Sequence, residues 1–298
     1  MHSRRIALLM IVLIPVLIDA AVRFGAETRA PGHQELTSPC ALRGPGGEQL
    51  LTTALSLTPG DLYVDSQDRC WQIVRVERGT ARARPVAPPW NSDPGPAVPC
   101  IPLGALPRTI LIYHTHGDES YVPSEGTSSI PTGGGILRVG ERLATSLRDV
   151  GFRVLHDRST HWPHDALAYH RSRRTVFRYL PRGPYLLFDI HRDGAPARAY
   201  RGEVAGEPVA QILLVVGRLN PTRQANLALA RAIKKAADRS HPGLIKGILL
   251  ARGHYNQDLD PGALLLEVGC HQLPRSEAER SVKLLAAVLA GLYGAPGR

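Results

Sequence analysis

Two histidines, His116 and His191, and two glutamates, Glu119 and Glu267, make up a set whose types suit metal-assisted hydrolysis. Two histidines and one carboxylate are a common ligand set for a catalytic zinc ion, which leaves the fourth position to water. The pKa of that water falls to about 7, so hydroxide is available at neutral pH. His116 and Glu119 sit three residues apart, close enough for one tight turn to bring both to an ion, while His191 arrives from another stretch. A carboxylate outside the ligand set must still carry the proton. Glu267, flanked by apolar residues in Leu265-Leu266-Glu267-Val268-Gly269, is the candidate base. In a chain with 12 histidines each residue alone has an ordinary structural explanation. The reading rests on their conjunction.

The elements that must position these residues are visible just upstream of them. Thr109-Ile110-Leu111-Ile112-Tyr113 precedes His114-Thr115-His116-Gly117-Asp118-Glu119. Tyr185-Leu186-Leu187-Phe188 precedes Asp189-Ile190-His191-Arg192-Asp193, and Ala263-Leu264-Leu265-Leu266 leads into Glu267. Short continuous apolar runs bounded by Pro or Gly predict strands buried on both faces. In an open α/β sheet, chemistry collects at the carboxyl ends of such strands.

Around these runs, apolar spacing predicts helices over 139–150, 165–179 and 225–238, and another over 276–292 opened by the capping box Ser276-x-x-Glu279. Phe152-Arg153-Val154-Leu155 reads as a strand, and Glu203-Val204-Ala205 with Gln211 to Val216 as a hairpin. Upstream, the alternating stretches 60–64, 71–76 and 80–84 predict a small antiparallel β unit, while 27 to about 50 reads as irregular. The expected fold class is therefore α/β: a mixed, mostly parallel sheet covered by helices, preceded by a small β unit. The expected organisation is a signal peptide or membrane anchor over 1–26, a β-rich region over 27–84, a Pro-rich linker over 85–107 and a catalytic domain over 108–298. The linker reads equally as a semi-rigid spacer or as a segment lying on the domain surface.

Composition narrows the setting. The formal charge of +10 suits an anionic partner such as nucleic acid, an acidic membrane face or the cell wall. No basic stripe interleaved with aromatic residues is present, so no nucleic-acid partner is expected. Arg4 and Arg5 precede an apolar run from Ile6 to Ile18, shorter than the roughly 20 residues of a spanning helix. Whether that segment is cleaved or retained, the remainder is expected outside the cytoplasm. Cys40, Cys70, Cys100 and Cys270 lack CxxC spacing, which disfavours a cysteine zinc site; one disulfide among the first three and free thiols both stay open.

From Ile110 to Leu292 the chain resembles the stage II sporulation protein P family of N-acetylmuramoyl-L-alanine amidases. The resemblance is carried by His114-Thr115-His116-x-x-Glu119-Ser120-Tyr121, Val139-Gly140, Leu155-His156-Asp157 and Asp189-Ile190-His191-Arg192-Asp193. Val215-Val216-Gly217 with Asn220-Pro221, Tyr255-Asn256-Gln257-Asp258-Leu259 and Leu266-Glu267-Val268-Gly269 continue it. It implies a membrane-tethered zinc enzyme that trims septal peptidoglycan during engulfment beside stage II sporulation proteins D and M, with a fold similar to zinc amidases and carboxypeptidases. On this resemblance His116, Glu119 and His191 bind Zn2+ and Glu267 activates water. Arg192 with Asn256, Gln257 and Asp258 holds substrate, the last three reading equally as a turn stabilised by its own side chains.

One departure stands out. The wider zinc amidases carry a carboxylate ligand at the start of the helix after the first strand, where this chain has Gly133-Gly134-Gly135. The ligand role therefore passes to Glu119, with Glu125 and Glu141 as alternatives and His114 as an alternative to His116. Two rival functions remain, a zinc peptidase acting on stem peptides and a non-catalytic wall-binding scaffold.

Overall fold

The structure, a computed structural model, describes residues 38–90 and 108–294. The N-terminal segment 1–26, Cys100 and most of the Pro-rich span lie outside the described residues.

In chain order the strands are β1 (Cys40–Arg43), β2 (Gln49–Thr53), β3 (Leu62–Val64), β4 (Cys70–Glu77), β5 (Thr80–Val86), β6 (Thr109–Tyr113) and β7 (Arg153–His156). They continue with β8 (Leu186–Asp193), β9 (Arg201–Val204), β10 (Glu207–Ala210), β11 (Ile212–Gly217), β12 (Ile245–Ala251) and β13 (Ala263–Cys270). The helices are α1 (Val122–Glu125), α2 (Ile136–Asp149), α3 (Ala168–Tyr179), α4 (Arg223–Ser240) and α5 (Arg275–Tyr293). Eleven strands form one sheet in the order β2-β1-β5-β4-β3-β12-β11-β13-β8-β6-β7.

The expected mixed, mostly parallel α/β sheet is what the later strands build. β13, β8, β6 and β7 run parallel to one another, β11 and β12 are parallel, and only the β11–β13 pair between these groups is antiparallel. Every residue of β6, β8, β11 and β13 is buried, as continuous apolar runs require of strands covered on both faces. α2 buries Ile136, Val139, Gly140, Leu143 and Leu147 at helical spacing, and α5 does the same with Ala278, Val282, Leu285 and Leu289. Both belong to the main core with Ile110, Ile112, Phe188 and Leu266. On the opposite face of β6 and β8, α3 contributes Val176 to a smaller cluster with Leu111, Tyr113 and Leu187.

Several details differ from the sequence expectations. The predicted hairpin partners separate: β9 pairs with Glu207–Ala210, while Ile212–Gly217 enters the centre of the main sheet between β12 and β13. The Glu203 run has only one buried residue and suits a small outer ribbon, whereas the run from Ile212 is wholly buried. The capping box at Ser276 does not form, because the helix begins earlier, after Pro274, and Glu279 pairs with Arg275 Nε at 2.7 Å. Within 27–50, read as irregular, β1 and the first two residues of β2 appear, and β5 runs on through Pro85 to Val86. The β-rich region joins the main sheet through the antiparallel β3–β12 pair, with Tyr63 opposite Leu249. Cys40, Cys70 and Cys270 are free buried thiols.

Candidate active site

The pleat of β6 carries on through His114. Its Nδ1 lies 3.0 Å from the Ile190 carbonyl oxygen and its Nε2 lies 3.0 Å from His156 Nε2, whose ring also meets Glu141 at 3.0 Å. Gly140 of α2 permits this layer, since a Cβ there would lie 2.5 Å from His114 Nε2. From Thr115 the chain turns, which takes His116 out of the pleat. The two histidines are equally buried yet do different things: His114 closes the sheet against α2, and His116 lines a cavity.

That cavity, about 10 Å³ in volume, brings together His116, Glu119, His191 and Glu267, with Arg192, Asp193, His164 and Leu55 around them. The parallel register of β13 and β8 sets Glu267 directly opposite His191. Asp189 stands 3.0 Å from His191 Nε2 and is itself held by the backbone N–H and hydroxyl of Thr115, at 2.8 and 2.6 Å. His191 thereby turns Nδ1 toward Glu119 Oε1, at 3.4 Å. The other oxygen of Glu119 accepts the Arg192 backbone N–H at 2.9 Å. Burial works to lower the pKa of His191, but the Asp189 and Glu119 carboxylates outweigh it and push the imidazole well above its ordinary value.

This donor set fits a divalent ion. A separation of 3.4 Å is long for a hydrogen bond, yet two ligands on a tetrahedral ion with bonds of about 2.0–2.1 Å lie about 3.4 Å apart. A carboxylate behind a ligating histidine, as Asp189 stands behind His191, is the usual orienting partner. The rings of His116 and His191 meet edge to face, 5.3 Å apart at 80°, so both border the same space.

Among the described residues, the group whose ligand atoms all lie within 4.8 Å of one another is His116, Asp118 and His164, so His116 would have to move to join Glu119 and His191 on one ion. That group's ring geometry is less favourable. The His116 and His164 rings are stacked 3.8 Å apart at 8°, so their lone pairs lie in parallel planes and one ring would have to turn to share an ion. Asp118 already accepts from Ser129 Oγ at 2.6 Å and faces His164 Nδ1 at 3.1 Å. As arranged, His164 braces the His116 ring from behind.

Among the carboxylates left open by the sequence, Glu119 alone lines the cavity. Glu125 pairs with Arg275 and accepts the Tyr121 backbone N–H, and Glu141 pairs with Arg148 and His156. The glycines where a helix-start carboxylate was sought have a steric role. A Cβ on Gly134 would lie 1.9 Å from the Glu119 carbonyl oxygen, so the start of α2 rests directly on the turn that presents Glu119.

The expected substrate-holding residues are engaged within the fold. Arg192 lines the cavity, but its Nε and Nη2 donate to the Ser120 and Ser128 carbonyl oxygens at 3.3 and 3.0 Å. Asn256, Gln257 and Asp258 are not among the cavity's lining residues. Asn256 Nδ2 donates to the Tyr169 carbonyl oxygen at 3.1 Å, Gln257 holds the backbone of Gly217 and Val215 at 2.8 Å each, and Asp258 takes both ends of the Arg173 fork. These contacts tie the loop that carries them to neighbouring segments. Sequence reasoning left His164 unassigned and did not single out Leu55, because neither follows a strand pattern or shares a motif with the rest.

Comparisons with known proteins bear on the family. The family described as Stage II sporulation protein P (SpoIIP) matches residues 94–290, more than half of the 298. The chain belongs to the SpoIIP family. It is 27% identical over 208 residues to Stage II sporulation protein P of Bacillus subtilis (strain 168), covering 62% of this chain and 51% of that protein. The chain thus spans about half the length of the curated relative it matches. Solved structures similar to this SpoIIP-family chain include the N-acetylmuramoyl-L-alanine amidase AmiC2 of Nostoc punctiforme, at 14% identity and a TM-score of 0.42, covering 63% of this chain and 98% of that one. The CwlD amidase from Clostridioides difficile, solved with the GerS lipoprotein, matches at 11% identity and a TM-score of 0.43, covering 62% and 98%. Among the described residues no helix is long and apolar enough to cross a membrane.

Proposed function

We propose that this chain is a zinc-dependent N-acetylmuramoyl-L-alanine amidase, hydrolysing the amide between the lactyl group of muramic acid and L-alanine in peptidoglycan. We place its work outside the cytoplasm, in septal wall remodelling during engulfment. The observation that carries the reading is the convergence of His116, Glu119, His191 and Glu267 on one buried cavity at strand ends. Membership of the SpoIIP family supports the substrate.

His116, Glu119 and His191 would hold the ion. Bound there, zinc would polarise the amide carbonyl and bring a water within reach of ionisation near neutral pH. Asp189 fixes the His191 ring by its contact with Nε2, leaving Nδ1 for the site. The Arg192 backbone N–H holds one oxygen of Glu119, so the other points at His191. Glu267 takes the proton from the attacking water and returns it to the departing nitrogen of alanine, and with the water's second proton also ending on that nitrogen, amide and water become carboxylate and ammonium. His164, stacked on His116 and tied to Asp118, keeps the first histidine from rotating.

The test is mass spectrometry of soluble products after the zinc-loaded full-length protein meets purified peptidoglycan. Free stem peptides beginning with unblocked L-alanine are expected. Shortened peptides with the rest still joined to sugar would replace the amidase reading by the peptidase one, and peptidoglycan binding without any released product would favour a scaffold.

A further inference from the structure

The cavity is too small for its work. At about 10 Å³ it has room for roughly one water, whereas a scissile amide must bring its carbonyl carbon and both flanking groups to the same point. Six of the eight lining residues belong to strands β8 and β13 or to the turn after β6. Of the remaining two, His164 is fixed against His116 and Asp118. Leu55 is different: it comes from the N-terminal strands, just after β2, and is the one apolar residue among the eight that line the cavity.

Leu55 is held there by a short latch. Asp193, beside the cavity, accepts from Thr53 Oγ1 at 2.5 Å and from the Ala54 backbone N–H at 2.7 Å, and Tyr200 adds its hydroxyl at 2.7 Å. Thr53 Oγ1 in turn accepts the Leu55 backbone N–H at 3.0 Å. Leu55 also lies ahead of residue 94, where the family match begins, whereas the residues it covers all lie within that match.

We propose that Leu55 is a specificity-determining residue of this site: the Thr53–Leu57 loop stands over the reacting centre, and only substrates able to displace it reach Glu267. The inference rests on reading the cavity as the hydrolytic centre. Burying Leu55 favours the covered state, so the apparent affinity for substrate is reduced by the small fraction of molecules in which the loop stands aside. The N-terminal region thereby acts on catalysis without supplying a catalytic residue.

The experiment labels the metal-free full-length protein with diethyl pyrocarbonate and follows each histidine by peptide mass spectrometry, for wild type, Leu55→Ala and Thr53→Val. His116 is expected to react faster, on the order of tenfold in Leu55→Ala, with a smaller rise in Thr53→Val, which keeps the Leu55 side chain and weakens the latch. His114, bonded to the Ile190 carbonyl oxygen, is the internal reference and should stay slow if folding is intact. Unchanged labelling of His116 in both variants would overturn the proposal. The same variants should raise kcat/KM on soluble muramoyl-peptides by a similar factor, and faster labelling without that rise would overturn the specificity role. Faster labelling in a protein whose wild type cleaves no substrate would instead count against the amidase reading while leaving the cover in place.

Discussion

The two halves of the sheet bury carboxylates in opposite ways. In the N-terminal half Asp65 is nearly enclosed, yet it accepts from the backbone N–H groups of Gln67 and Arg69, from Arg69 Nε and from Trp71 Nε1, all within its own hairpin. In the later half Glu119 and Glu267 are enclosed too, but they face histidines from other strands across a cavity. A buried carboxylate surrounded by its own turn is scaffolding, because its donors offset the cost of desolvation and leave nothing to react. One whose neighbours come from separate strands, around a space, is placed for chemistry. Burial alone does not separate the two cases; the origin of the partners does.

The sharpest test of this contrast is Glu267→Gln, which should retain metal and melting temperature while turnover falls by about a hundredfold or more. Ordinary turnover would remove Glu267 from the reaction. His191→Ala should lower the zinc content measured by elemental analysis, and a fully loaded variant would show that the ligands lie elsewhere, with the His116, Asp118 and His164 group next to examine.

Effects confined to the scaffold should be smaller and should appear in stability. Gly140→Ala forces a methyl against His114 and His156, at 2.5 and 2.8 Å, and should cost about 1–3 kcal/mol in denaturant melts with zinc binding retained. A neutral effect would mean that α2 can shift away from the histidine layer. Asp65→Asn should cost about 1.5–3 kcal/mol at neutral pH, since charged hydrogen bonds are lost. Burial raises the pKa of Asp65, but the Trp71 and Arg69 contacts outweigh it and hold the carboxyl below its ordinary 3.8. Its contribution is therefore complete above that value and is lost as pH falls through the lower folded value. The wild-type and Asp65→Asn melting curves should accordingly converge in strong acid, and a constant gap would overturn the assignment.

Much of this was legible in the residues, and the exceptions share a cause. Apolar runs ending in polar patches identified β6, β8 and β13, because strands buried on both faces leave an unbroken signature. The short strands β1 and β2 carry little such signal, and β12 (Ile245–Ala251) went unread because Lys246 and Gly247 interrupt its apolar run near the start. The expected hairpin at 203–216 failed for a related reason: adjacency in sequence favours local pairing, but the wholly buried β11 belongs where both its faces are covered.

For the site, the sequence by itself determined the reactive inventory: the histidines and glutamates, their strands, and the family to which their order points. Tertiary structure decided the assignments that depend on meeting across distance. Glu119, rather than Glu125 or Glu141, faces His191 because the glycine-paved start of α2 lets the turn settle against it. His164 stacks on His116 from a loop with no shared motif, and Leu55 arrives over the cavity because β3 pairs with β12 and draws the N-terminal strands into the same sheet. Local periodicity records which face of an element is buried. It does not record what stands opposite that face, which only long-range register and loop closure specify.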